Sequence, residues 1–139
     1  AGNPPRFARV SDLEQFFRTV YRPFGWMSDE QWRRLTETST RRLADGGGTP
    51  HYDPKMVLQF EHHPRDYDQW PAYDAIDMPT LCLRGAESDL LLADTAERMR
   101  TRGPRAVVVT IPDCGHAPAL NVPSQWQLVE RFLLGEQSP

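Results

Sequence analysis

Two stretches of the chain pair an apolar run with a polar loop that could move protons. Leu81-Cys-Leu-Arg-Gly-Ala-Glu-Ser-Asp89 ends on an acid, and Pro112-Asp-Cys-Gly-His116-Ala-Pro-Ala-Leu120, behind a second apolar run, presents a histidine. An imidazole can take a proton from a nucleophile and return it to a leaving group, and a carboxylate beside it fixes the tautomer and stabilises the imidazolium. The chemistry needs both groups on loops at the carboxyl ends of neighbouring parallel strands, where an α/β sheet gathers its reactive side chains. A nucleophile would complete the set, and no G-x-S-x-G turn occurs in the 139 residues.

Each of these residues has a plainer reading. Asp89 is also placed to cap the helix expected near Leu92, a role Ser88 fills equally well, and Glu87 and Asp94 are fallback acids. Gly115-His116 can be a simple turn, although glycine there keeps the backbone tight and the imidazole projecting. Cys114 stands two residues from His116, but a Cys/His pair is a spatial pairing that is rarely so local. We therefore read Cys114 as a small loop thiol and Cys82 as a core residue. His51, His62, His63 and Asp66 offer ligand atoms for a metal. Adjacent helical residues point about 100° apart, however, and no H-E-x-x-H or C-x-x-C accompanies them, so a solvated loop is expected and no metal. Asp45-Gly-Gly-Gly-Thr-Pro50 lacks the lysine and the strand-to-helix setting of a phosphate loop and reads as a plain loop.

The elements that must hold Asp89 and His116 lie in the second half. Thr80–Arg84, between Pro79 and Gly85, reads as a strand, and Leu92, Ala96 and Met99 mark a helix stopped by Gly103-Pro104. Ala106–Ile111 is continuous and β-branched, as in a strand buried on both faces. Pro123 starts a final helix with Trp126, Val129, Phe132 and Leu133 on its apolar face. The order strand, helix, strand, helix is that of a parallel βαβ unit with one helix added. Two parallel strands do not make a stable sheet, so a partner is expected: further strands from a complementing N-terminal fragment, or a second copy in a homo-oligomer.

The first half reads as three or four short helices with no strand. Ser11 to Glu14 and Ser28 to Gln31 each match a capping box. Leu13, Phe16, Phe17 and Val20 form the face of the first helix, and Trp32 and Leu35 begin that of the second. Asp53-Pro54 matches an N-cap followed by proline at the first helical position, with Met56, Val57 and Phe60 behind it.

Bulk properties limit the function. The chain is one domain's worth of sequence with a net charge of -3 and a pI near 5.8, which disfavours nucleic-acid binding. Mean hydropathy is -0.61 and no run approaches a membrane span, so no membrane partner is expected. Two cysteines make no disulfide framework, and the N-terminus shows no secretory pattern, which points to a cytoplasmic setting. The chain begins without Met, as a piece of a longer product would.

The run Pro79 to Leu91, the loop Pro112 to Pro118 and the closing Trp/Phe/Leu helix together resemble the C-terminal end of the α/β-hydrolase fold family. The resemblance implies an α/β fold with a helical cap segment over residues 1–78, followed by the C-terminal β-α-β-α part of the core over 79–139. Tyr52-Asp-Pro54 and the segment from Trp70 to Ile76 resemble pieces of the cap and its return to the core, and Phe16, Phe17, Trp26, Trp32, Tyr52 and Trp70 would mostly pack the cap. It assigns the triad acid to Asp89 and the triad base to His116, with the nucleophile upstream of Ala1. A parent enzyme of this family would cleave a carboxylic ester or similar acyl bond in a small-molecule substrate, without cofactor. Epoxide, haloalkane and C–C bond hydrolysis are alternatives that depend on the nucleophile. On this view the present chain is inactive alone, and a non-catalytic, self-associating module is the other alternative.

Overall fold

The computed structural model describes residues 3–136. They form two compact units: the chain up to Arg22 with Met27–Asp68, and Pro23–Trp26 with the chain from Gln69 onward.

The first unit is built on α1 (Val10–Val20) and α2 (Asp29–Thr38). Leu13, Phe17, Trp32 and Thr36 are buried at its centre. The Ser28 capping box forms as expected: Ser28 Oγ accepts from Gln31 N, and Gln31 Oε1 accepts from Ser28 N. The Ser11 box does not form. Arg9, extended at φ -126°, is the N-cap of α1, so the helix starts before Ser11 and no side chain caps it. Glu14 instead takes the Arg18 guanidinium four residues on, at 2.7 Å, a charged partner for its carboxylate in place of a neutral backbone N–H.

The expectation of no strand in the first half is also overturned. β1 (Thr40–Arg42) and β2 (Gly48–Pro50) pair antiparallel, Thr40 opposite Pro50, and the Phe7 and Gly48 backbones bond each other in both directions at 2.9 Å. Gly46 and Gly47 lie in the hairpin turn, and Gly48 opens β2. Gly46 adopts φ +84°, which a side chain resists, and Asp45 Oδ1 accepts from Gly47 N. The Asp53 cap holds, on a 3-10 turn over Pro54–Val57 that leads into α3 (Leu58–His62).

Besides Pro23–Trp26, the second unit contains α4 (Trp70–Asp74). Arg98 and Arg102 each lie 4.3 Å from the centre of the Trp70 ring, and Arg102 also binds Asp74. The expected β-α-β-α order follows: β3 (Leu81–Gly85), α5 (Ala93–Thr101), β4 (Val107–Ile111) and α6 (Pro123–Leu133). β3 and β4 are parallel, in register from Leu81 opposite Val107 to Gly85 opposite Ile111. One face of the pair packs through Ala106, Val108 and Cys82 against Ala96 and Met99 of α5.

β4 is not buried on both faces. Its burial is uneven: Val107 is 44% exposed and Thr110 is exposed too, while Val108 and Ile111 are buried. Beyond Val109 and Ile111 lies a cavity of about 390 Å³, walled also by Trp26, Val122, Gln125 and Leu128. α6 has no buried residue, and Leu133 is 75% exposed.

The ladder has a fixed phase, since Val107 N donates to Thr80 O and Ala86 N to Ile111 O. By parallel geometry Val107, Val109 and Ile111 then face β3, and Leu81 and Leu83 turn their backbone groups to the opposite edge. That edge is open among the described residues. On the far edge of β4 the Val108 carbonyl accepts from Arg100 Nη2 at 2.6 Å. No described helix is long and apolar enough to cross a membrane.

Candidate active site

Asp89 lies in the loop after β3 and His116 in the loop after β4, so both stand at the carboxyl ends of adjacent parallel strands. The two loops are joined backbone to backbone. The ladder runs on past the strands through Ala86 N to Ile111 O at 2.8 Å, and Glu87 N then donates to Cys114 O at 3.0 Å. Gly85 makes this junction possible. A Cβ there would stand 1.8 Å from Gly115 O and 2.6 Å from Cys114 O, inside the backbone of the histidine loop.

The acid loop is a tight turn. Ser88 N donates to Gly85 O at 3.1 Å, and the buried Ser88 Oγ accepts from Leu91 N at 3.0 Å. Arg84 Nε donates to Leu91 O at 2.8 Å and its Nη1 to Ala86 O at 3.3 Å. Of the two residues suited to capping here, Ser88 makes the side-chain bond. α5 itself starts behind Leu92 without a side-chain cap. Glu87 is exposed on the same loop, and Asp94 lies in the first turn of α5, where a carboxylate faces the helix N-terminus.

The histidine loop is strained. Asp113 (φ 56°), Ala117 (φ 67°) and Leu120 (φ 52°) are all left-handed, a conformation that costs a residue with a side chain about 1–3 kcal/mol and persists where surroundings impose it. Gly115 N donates to Pro23 O at 2.6 Å, and Asn121 Nδ2 to Trp26 O at 2.7 Å, so the Pro23–Trp26 segment braces both halves of the loop. Between these points the His116 side chain is exposed. Asp89 is exposed as well, and among the described residues no hydrogen bond or ion pair joins the two.

Cys114 is buried under the junction, with Sγ 3.6 Å from Ile111 O. Burial pushes its thiol pKa up, and the negative charges of Glu87 and Asp113 add to that. Burial likewise raises Cys82, outweighing Arg100 and Arg84. Neither is placed as an activated nucleophile, which needs a lowered pKa. His63 meets Asp66 at 3.3 Å in the first unit, and no group of three ligating side chains stands together among the described residues.

Sequence reasoning missed the strain and the brace. Asp113 carried a faint signal, since Asp tolerates the left-handed region, whereas Ala117 and the Pro23 contact carried none.

No family model matches the chain. It is 32% identical over 143 residues to the 3-hydroxybutyrate-oligomer hydrolase of Cupriavidus necator, a match that takes in 96% of this chain and 49% of that protein. The structure of an α/β hydrolase from Novosphingobium aromaticivorans superposes with a TM-score of 0.77 at 30% identity, over 95% of this chain and 48% of that one. E-2-(acetamidomethylene)succinate hydrolase superposes with a TM-score of 0.74 at 23% identity, over 94% and 47%, a likeness of fold alone. The chain thus spans about half the length of the relatives it matches.

Two outcomes test this geometry. Gly85→Ala is expected to lower stability by about 3 kcal/mol or more in denaturant titration, because backbone on the other side cannot yield as a side chain would. Unchanged stability would show that the loops are not in contact. Both thiols are expected to react with a disulfide reagent at pH 8 more than about tenfold slower in the folded chain than in denaturant, since a raised pKa lowers the thiolate fraction. Equal rates would contradict the partial burial of Cys82 and the burial of Cys114. Strand order, parallel register and these superpositions agree: the chain has the C-terminal part of an α/β-hydrolase fold.

Proposed function

We propose that the chain is the C-terminal part of a hydrolase that cleaves a carboxylic ester or similar acyl bond through a nucleophile-histidine-acid triad. His116 is the general base and acid, and Asp89 the carboxylate that orients it. The observation that carries the reading is the junction of the two loops: Glu87 N to Cys114 O holds the acid loop beside the histidine loop at the ends of β3 and β4. Residues 1–78 serve in this reading as the cap segment and 79–139 as the end of the core.

The nucleophile and oxyanion donors belong to the rest of the parent. In the reaction His116 takes the hydroxyl proton of a serine as its oxygen attacks the carbonyl. The alcohol then leaves with that proton, and water, deprotonated by the same imidazole, releases the acid. Asp89 keeps its charge throughout and balances the imidazolium. The Cupriavidus relative is named for acting on 3-hydroxybutyrate oligomers, which are esters, and this favours ester chemistry over epoxide, haloalkane or C–C bond hydrolysis.

A second reading has an observation of its own. The free edge of β3, with the Leu81 and Leu83 backbones turned outward, invites a further strand. We infer that this edge takes either the rest of the parent sheet or a second copy.

The test is turnover of p-nitrophenyl butyrate and a 3-hydroxybutyrate dimer by the full-length protein. His116→Ala is expected to lower kcat by at least about 10³-fold and Asp89→Asn by about 10²- to 10⁴-fold. Ester turnover that survives either substitution, or no ester turnover at all, would sink the proposal. Separately, the 139-residue chain is expected to sediment in dilute solution as a species larger than 16.0 kDa. A compact monomer would refute the second copy as the partner of this edge.

A further inference from the structure

The loop that carries Asp89 is held at both ends by one side chain. Arg84 lies on β3 two residues after Cys82 and so on the same face, the one packed on α5. From there its Nη1 reaches the carbonyl of Ala86, where the loop begins, and its Nε the carbonyl of Leu91, where the loop ends. A guanidinium presents several donors in a rigid planar fork and can hold two carbonyls at once, whereas an ammonium is a single point charge. Ser88 Oγ secures the Leu91 N–H from inside the turn, so both polar backbone groups of Leu91 are fixed. Asp89 stands between these anchors, and its carboxylate has no hydrogen bond or ion pair among the described residues. Its position is therefore set by the loop backbone and not by partners of its own.

We propose that Arg84 is the positioning residue for Asp89, acting through the two carbonyls that bracket it. The inference rests on the reading of Asp89 as the triad acid. Nothing in it requires Arg84 to touch substrate. Its effect is to keep the carboxylate at one distance and angle from the imidazole while the loop would otherwise swing.

The experiment is steady-state kinetics of the full-length protein with p-nitrophenyl butyrate, for Arg84→Met, Arg84→Lys, Asp89→Asn and the double variant Arg84→Met/Asp89→Asn. Arg84→Met is expected to lower kcat by about 10- to 100-fold, with KM changed less than about twofold, because misplacing a catalytic group by about 1 Å has that effect. Arg84→Lys, able to reach one carbonyl, recovers part of the loss. In the double variant, Arg84→Met adds less than about twofold to the loss from Asp89→Asn, since a loop without its carboxylate gains nothing from being held. Should Arg84→Met fail to fold, Arg84→Gln, which keeps two N–H donors, takes its place in the same cycle. Losses that multiply in the double variant, or wild-type kcat in Arg84→Met, would overturn the role of Arg84 while leaving the acid in place. Wild-type turnover by Asp89→Asn would remove the acid reading, and the role of Arg84 with it.

Discussion

The hydrogen bond from Glu87 N to Cys114 O, made where Gly85 leaves room for Gly115, is the contact on which the candidate site depends. Strand pairing alone brings Gly85 and Ile111 side by side, but beyond that point each loop could turn its own way. The junction carries the pairing past the strand ends and into the loops themselves. Backbone groups make it, so it sets the separation of the loops without using any reactive side chain. Glu87 contributes only its N–H, and Cys114 contributes a carbonyl while its thiol stays buried.

The strain of the histidine loop follows from the same constraint. The loop is pinned to its neighbour at Cys114 and to Pro23 at Gly115, and left-handed residues flank these pins, Asp113 before them and Ala117 and Leu120 after. Backbone strain of this kind persists only where the surroundings over-determine it, and its usual place is a functional site. The acid loop takes another route. It is a relaxed turn tied by Ser88 and Arg84, and its rigidity comes from side-chain donors and acceptors. Two loops of opposite mechanical character thus meet at one bond.

Much of the second half was legible in the sequence. Pro79, Gly85 and Gly103-Pro104 bound elements whose apolar content leaves few choices, and Asp89 and His116 stand on the loops where their spacing put them. The hairpin was not legible. Thr40, Arg41 and Arg42 carry no alternation, their partner strand is Gly-Thr-Pro, and the glycines between them read as loop because they are the turn. The Ser11 box failed because a local motif cannot register a helix that starts earlier or an Arg18 that claims Glu14. The burial of β4 was overestimated because a β-branched run records the surroundings it suits, and on one face of β4 the described residues leave a cavity. The loop junction had no sequence signature, since its donor and acceptor belong to the backbone.

The bond from Arg100 to the Val108 carbonyl gives the two edges of the small sheet different fates. A filament of stacked sheets needs every copy to offer two receptive edges, one to accept a neighbour and one to be accepted. Here an incoming strand on the β4 side must first displace a charged donor from the middle of the edge, while the β3 side asks for no such exchange. Were copies to meet β3 to β3, they would consume their receptive edges together and the assembly would terminate at a closed pair. A single arginine on α5 thus makes the two edges of the small sheet unequal as templates for a further strand.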